Sequence, residues 1–126
     1  MEAPVDLNDL IYAWKSYDEA IHELATGIGN IKGRLHCAHR AIVFVPDRFI
    51  PPDVLPDVKW IRSQLTRFQD EDGLVSVGLT LKKIRFKTAQ KIAFKIYDVA
   101  AQLEDRLNAA EQSDSPDRTS PSWPIG

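Results

Sequence analysis

The sequence predicts an all-α protein, an elongated helical bundle of two long helices and one short helix, coiled-coil-like in its packing. Three observations predict it. Apolar residues recur every seven positions from Leu7 to Val45, a second apolar stripe runs from Leu79 to Ala110, and four prolines between Pro46 and Pro56 separate the two. A seven-residue spacing collects side chains along one edge of a helix, whereas a strand would send neighbours to opposite faces. The chain has 126 residues, the size of one domain. Its single cysteine, Cys37, excludes an intramolecular disulfide, so the core must come from packing.

The first helix is expected from about Leu7 to Phe44. Leu7, Trp14, Ile21, Ile28, Leu35 and Ile42 fill one heptad position, and Leu10, Tyr17, Leu24, Ile31, Ala38 and Val45 fill the other. Asp6 is placed to cap the N-terminus, Asp9 suits the positive end of the helix dipole, and Pro46 stops the segment. Gly27, Gly29 and Gly33 lie inside this span, and each costs about 1 kcal/mol relative to alanine in a helix interior. Because the heptad phase runs through them, one continuous or gently kinked rod is favoured. A break at Thr26-Gly27-Ile28-Gly29-Asn30 is the alternative, and close approach of another helix at the glycines is a third reading.

Pro46 to Pro56 cannot be helix or central strand. It reads as an ordered loop, since Phe49, Ile50, Val54 and Leu55 need cover. The short helix starts near Pro56, with Val58, Ile61, Leu65 and Phe68 as its apolar face, and ends in the acidic turn Gln69-Asp70-Glu71-Asp72-Gly73. Leu74 to Thr80 is either extended or the lead-in to the last helix. That helix is expected from Val77 or Thr80 to Ala110, with Leu79, Phe86, Ala89, Ala93, Ile96, Ala100, Leu103, Leu107 and Ala110 on one side, and Ile92 and Val99 widening the stripe. Residues 1–111 are thus one helical domain, and residues 112–126, polar and proline-bearing, are a disordered tail. A rod of this length spans about 55 Å, more seam than its own chain can cover. Self-association to a homodimer through Leu7, Leu10, Trp14, Tyr17, Ile21, Leu24, Ile28, Ile31 and Leu35 is therefore expected.

Charge is segregated along the chain although the net charge is only −2. Between Gly73 and Tyr97 stand Lys82, Lys83, Arg85, Lys87, Lys91 and Lys95 without an acidic residue. Lys83, Lys87, Lys91 and Lys95 are four apart, so they share a helix face on which like charges repel. Phe94 projects beside them. Lys32, Arg34 and Arg40 add a basic half to the first helix. Such a stripe invites an anionic partner, and an acidic protein is the first reading. Nucleic acid, RNA or DNA, is the alternative. Self-pairing of basic and acidic halves, or simple solvation, is the plain structural account. Trp14 and Trp60 read as core aromatics. Trp123, within the tail, reads as a short docking peptide or a chain end.

Candidate chemistry is sparse. His36, Cys37 and His39 cluster, but His22 is two heptads away, too few ligands for a zinc site. Gly27, Gly29 and Gly33 follow a helix rather than a strand, so a nucleotide-binding loop is rejected. Glu19 and Glu23 read as a solvated pair, and no serine–histidine–acid pattern is evident. Arg34, four intervening residues and His39 make a spacing that resembles the arginine–histidine signature of the HEPN superfamily, helical proteins of prokaryotic toxin and defence systems. That resemblance implies RNA cleavage, with Arg34 stabilising phosphate charge and His39 acting as acid or base. Leu35 stands where that signature is usually polar, and the motif sits in the first helix rather than a later one. On the other reading, His36 and His39 are ordinary flanking positions. The sequence thus points to a non-enzymatic interaction or adaptor module without metal or cofactor. The N-terminus lacks a signal peptide's basic and apolar regions, and no apolar run is long enough to span a bilayer, so no membrane association and a cytoplasmic location are expected.

Overall fold

The carboxylate of Asp6 accepts a hydrogen bond from the Asn8 N–H at 3.1 Å and starts α1, Leu7–Thr26. In the computed structural model, which describes residues 5–114, α1 does not continue through the glycines. Gly27 ends it, with its N–H donating to the Glu23 carbonyl at 2.8 Å. Gly29 turns the chain at φ 92°, a conformation that favours glycine. Asn30 then caps α2, Ile31–Ile42, its side-chain oxygen accepting from the N–H groups of Lys32 and Gly33. With a stop signal at Gly27 and a start signal at Asn30, three residues apart, α2 folds back along α1 as a helical hairpin. The expected rod from Leu7 to Phe44 is corrected here. The heptad spacing continues because both helices are amphipathic, not because their backbone is one helix.

Beyond α2, Asp47–Phe49 form a single 3-10 turn, and the proline segment folds inward to bury Ile50 and Val54. Phe49 meets the Tyr12 ring edge-on at 5.6 Å. Arg62 clamps the turn by donating to both carboxylate oxygens of Asp47, at 2.6 and 3.4 Å. Pro56 lies in the first turn of α3, Leu55–Leu65, which is shorter than its apolar pattern suggested. The acidic turn closes at Gly73, and Gln69 and Val75 form an isolated antiparallel bridge. Ser76 caps α4, Val77–Lys83, by accepting from the Leu79 N–H. Thr80, fully buried, holds this corner: its hydroxyl donates to the Ser76 carbonyl at 2.8 Å and accepts from the Phe68 N–H at 3.1 Å.

The expected last helix is also divided. Ile84 is extended and buried, so the chain turns between α4 and α5, Phe86–Asp114. The two long helices and one short helix of the sequence reading become five helices among the described residues, and the all-helical bundle stands. Helix α5 runs past Ala110 into the segment expected as tail. The rest of that segment, with Trp123, lies outside the described residues.

Helix α5 is the element the others pack around, touching α1, α2 and α3. Its Ala89, Ile92, Ile96, Val99, Leu103 and Leu107 are buried against Leu10, Ala13, Tyr17 and Ala20 of α1, Leu35 and Ala38 of α2, and Ile61 of α3. Each fully buried large side chain contributes about 1.5–3 kcal/mol. Trp14 and Trp60 lie half-buried against this core. Among the described residues, no helix is long and apolar enough to cross a membrane.

Candidate docking surface on the longest helix

The core stripe of α5 leaves the opposite side of the helix facing out. At 3.6 residues per turn, positions seven apart return to one line. Lys87, Phe94 and Ala101 form one such line, Lys91, Asp98 and Asp105 a second, and Gln90, Tyr97 and Glu104 a third. All are exposed except Ala101, which is half-buried. Phe94 is 75% exposed and Tyr97 60%. They stand one turn apart as a ridge between two open grooves. One groove, about 820 Å³, lies towards Trp60 and Asp57 of α3; the other, about 550 Å³, lies towards Ile21, Leu24 and Ile31 of the hairpin. Phe94 and Tyr97 thus expose aromatic surface between two largely apolar grooves.

The four-spaced lysines do not act as one stripe. Lys83 belongs to α4 and lies over the Phe68 ring at 5.4 Å. Lys95 is half-buried, with its Nζ 3.5 Å from an Asp57 oxygen and 5.8 Å from the Trp60 ring centre. Lys87 and Lys91 remain outward without an ion pair among the described residues. The same holds for Asp98, Glu104 and Asp105 further along. Arg106 turns aside to pair with Asp53, so it does not neutralise that acidic half. A second basic group forms where α2 meets the α4–α5 corner. There the Lys32 Nζ lies 3.5 Å from the Lys82 carbonyl and 4.9 Å from the centre of the exposed Phe86 ring. Lys82, Arg85 and Arg40 are exposed.

The self-association seam expected on the first helix is largely spent inside the chain. Leu10, Tyr17 and Leu35 are buried in the core, and Leu7, Trp14, Ile21, Leu24 and Ile31 pack against it. Ile28 alone stands out, 95% exposed at the hairpin tip. The premise that this seam is too long for its own chain is therefore corrected, because α2 and α5 cover it.

Arg34 and His39 do not converge. The Arg34 Nη1 reaches back to the Leu24 carbonyl at 3.5 Å, while its Nε is buried without a partner, beneath the α1–α2 turn. His39 instead lines a cavity of about 290 Å³ with Tyr17 and Arg62, and Arg34 is not among the residues that line it. Burial, and then the neighbouring His36 charge, lower the His39 pKa. Burial raises that of Tyr17. The Arg62 hydrogen bond holds the Asp47 carboxyl below its usual range. Among the described residues, no three histidine, cysteine, aspartate or glutamate side chains gather as metal ligands do. Phe94, Lys87 and Lys91 were legible as candidates in the sequence. Tyr97 and the acidic half were not, although their seven-residue offset from one another, opposite the core stripe, was there to be read.

No family model, curated protein or solved structure matches this chain.

Proposed function

We propose that this protein is a non-enzymatic helical interaction module that docks a protein partner on the outward face of α5. The observation that carries this reading is the exposure of Phe94 and Tyr97 on the longest helix, between two apolar grooves. Covering two such rings is worth about 1.5–3 kcal/mol each, and aromatic residues concentrate at the centres of protein interfaces. Lys87 and Lys91 favour acidic groups on the partner beside that centre. Asp98, Glu104 and Asp105 share the face and repel a phosphate backbone, which favours protein over RNA or DNA. Arg34, half-buried and turned to the Leu24 carbonyl rather than into the cavity that His39 lines, counts against ribonuclease chemistry.

Photo-crosslinking in cells that make the protein tests the reading. Benzoylphenylalanine replaces Phe94, and in a control it replaces Glu19 on the exposed side of α1. The expected result is a discrete, protease-sensitive adduct from position 94 and none from position 19. A nuclease-sensitive adduct, or identical adducts from both positions, would overturn the proposal.

A further inference from the structure

We infer that the partner seated on this face is a second copy of the same chain, with the two α5 helices antiparallel across a two-fold axis. The inference rests on α5 being a docking face and names its occupant. Its basis is the order of charge along the face. Lys87 and Lys91 occupy the N-terminal half, Asp98, Glu104 and Asp105 the C-terminal half, and Phe94 and Tyr97 lie between. None of the five charged groups has an ion-pair partner among the described residues. An antiparallel second copy sets each basic half against the other's acidic half, and two-fold symmetry makes every such contact twice. A parallel pairing sets lysine on lysine and aspartate on aspartate, and aligns the helix dipoles unfavourably.

The middle of the face fits the same arrangement. Antiparallel residues meet at a constant sum of their numbers. A register that places Phe94 on Tyr97 of the second copy brings Lys87 level with Glu104 and next to Asp105, and sets Lys91 at the level of Ala100, between Asp98 and Asp105 along the helix. The Phe94–Tyr97 ridge has a groove on either side to receive its counterpart, the geometry that helix packing requires.

Sedimentation equilibrium of the full chain tests this with two charge variants. Lys87→Glu with Lys91→Glu makes the face wholly acidic, and Glu104→Lys with Asp105→Lys makes its ends wholly basic. Wild-type protein is expected to be a dimer that weakens as salt rises. Each variant alone is expected to lose at least about tenfold in dimer affinity, and an equimolar mixture of the two to regain it. Phe94→Ser, which carries no charge change, is expected to weaken the dimer by about tenfold or more; circular dichroism checks that every variant keeps its helix content. A wild-type monomer at all concentrations overturns the inference. So does a dimer that both variants and Phe94→Ser leave unchanged, or a mixture that stays monomeric. Should wild type be monomeric while position 94 crosslinks to a different protein, the second copy is refuted and the docking face is not. Absence of both dimer and adduct removes the docking face as well.

Discussion

Replacing Gly27 by alanine has opposite effects in a rod and in a hairpin. In a continuous helix the change stabilises by about 1 kcal/mol. In the hairpin, an added Cβ would stand 2.5 Å from the Glu23 carbonyl oxygen and 3.2 Å from Arg34 Cγ. That oxygen is main chain and already accepts the Gly27 N–H at 2.8 Å, so it cannot swing aside. Relief requires the last turn of α1 to shift, giving up a hydrogen bond worth about 1 kcal/mol and disturbing packing at about 1–3 kcal/mol. The expected loss is therefore about 2–4 kcal/mol. Gly29→Ala meets no neighbour within 4 Å but must hold φ 92°, a left-handed conformation that costs about 1–2 kcal/mol. Urea unfolding followed by circular dichroism reads both variants as lowered midpoints at unchanged slope. A raised midpoint for Gly27→Ala would mean that the helix runs through, and the hairpin account would be wrong.

Two further outcomes follow from buried groups. Thr80→Val keeps the shape but leaves the Phe68 N–H without its acceptor, an expected loss of about 1–3 kcal/mol; an unfolding midpoint equal to wild type would contradict it. Burial, and then the His36 charge, lower the His39 pKa in the fold, while in the unfolded chain it takes a proton near pH 6.5. Its contribution is thus full above that pH and is lost as pH falls through it towards the lowered native value. Asp47 shifts in the same direction, but its pKa lies below the carboxylate range, so it adds no slope between pH 7.5 and 5.5, the two conditions for the urea experiment. His39→Gln should flatten the loss of stability between them, and an unchanged loss would assign it to other groups.

Local signals with a single meaning were legible in the sequence. Asp6 caps α1, Pro56 opens α3 and Gly73 turns the chain, because each residue type solves one backbone problem. The heptad from Leu7 to Ile42 had two meanings. It records which side of a helix meets the core, and it is equally satisfied by two helices of one hairpin. Asn30 as an N-cap, just after two glycines, was the residue that separated them. The corner at Ile84 had no signal: neither glycine nor proline marks it, and burial of the isoleucine itself decides it. The same reasoning covers the surface. Counting lysines four apart found Lys87 and Lys91 but joined them to Lys83, which belongs to another helix, and to Lys95, whose charge Asp57 answers. Only tertiary contacts distinguish a lysine that is spoken for from one that is available.

Hydroxyl-radical labelling across a dilution series tests the central claim most directly, because it reports on individual aromatic rings as chains associate. Phe94 and Tyr97 should lose reactivity as concentration rises, while Tyr12, 48% exposed on α1, keeps its rate throughout. Protection of Tyr12 with Phe94 and Tyr97 still fully reactive would move the contact to the first helix and contradict the account.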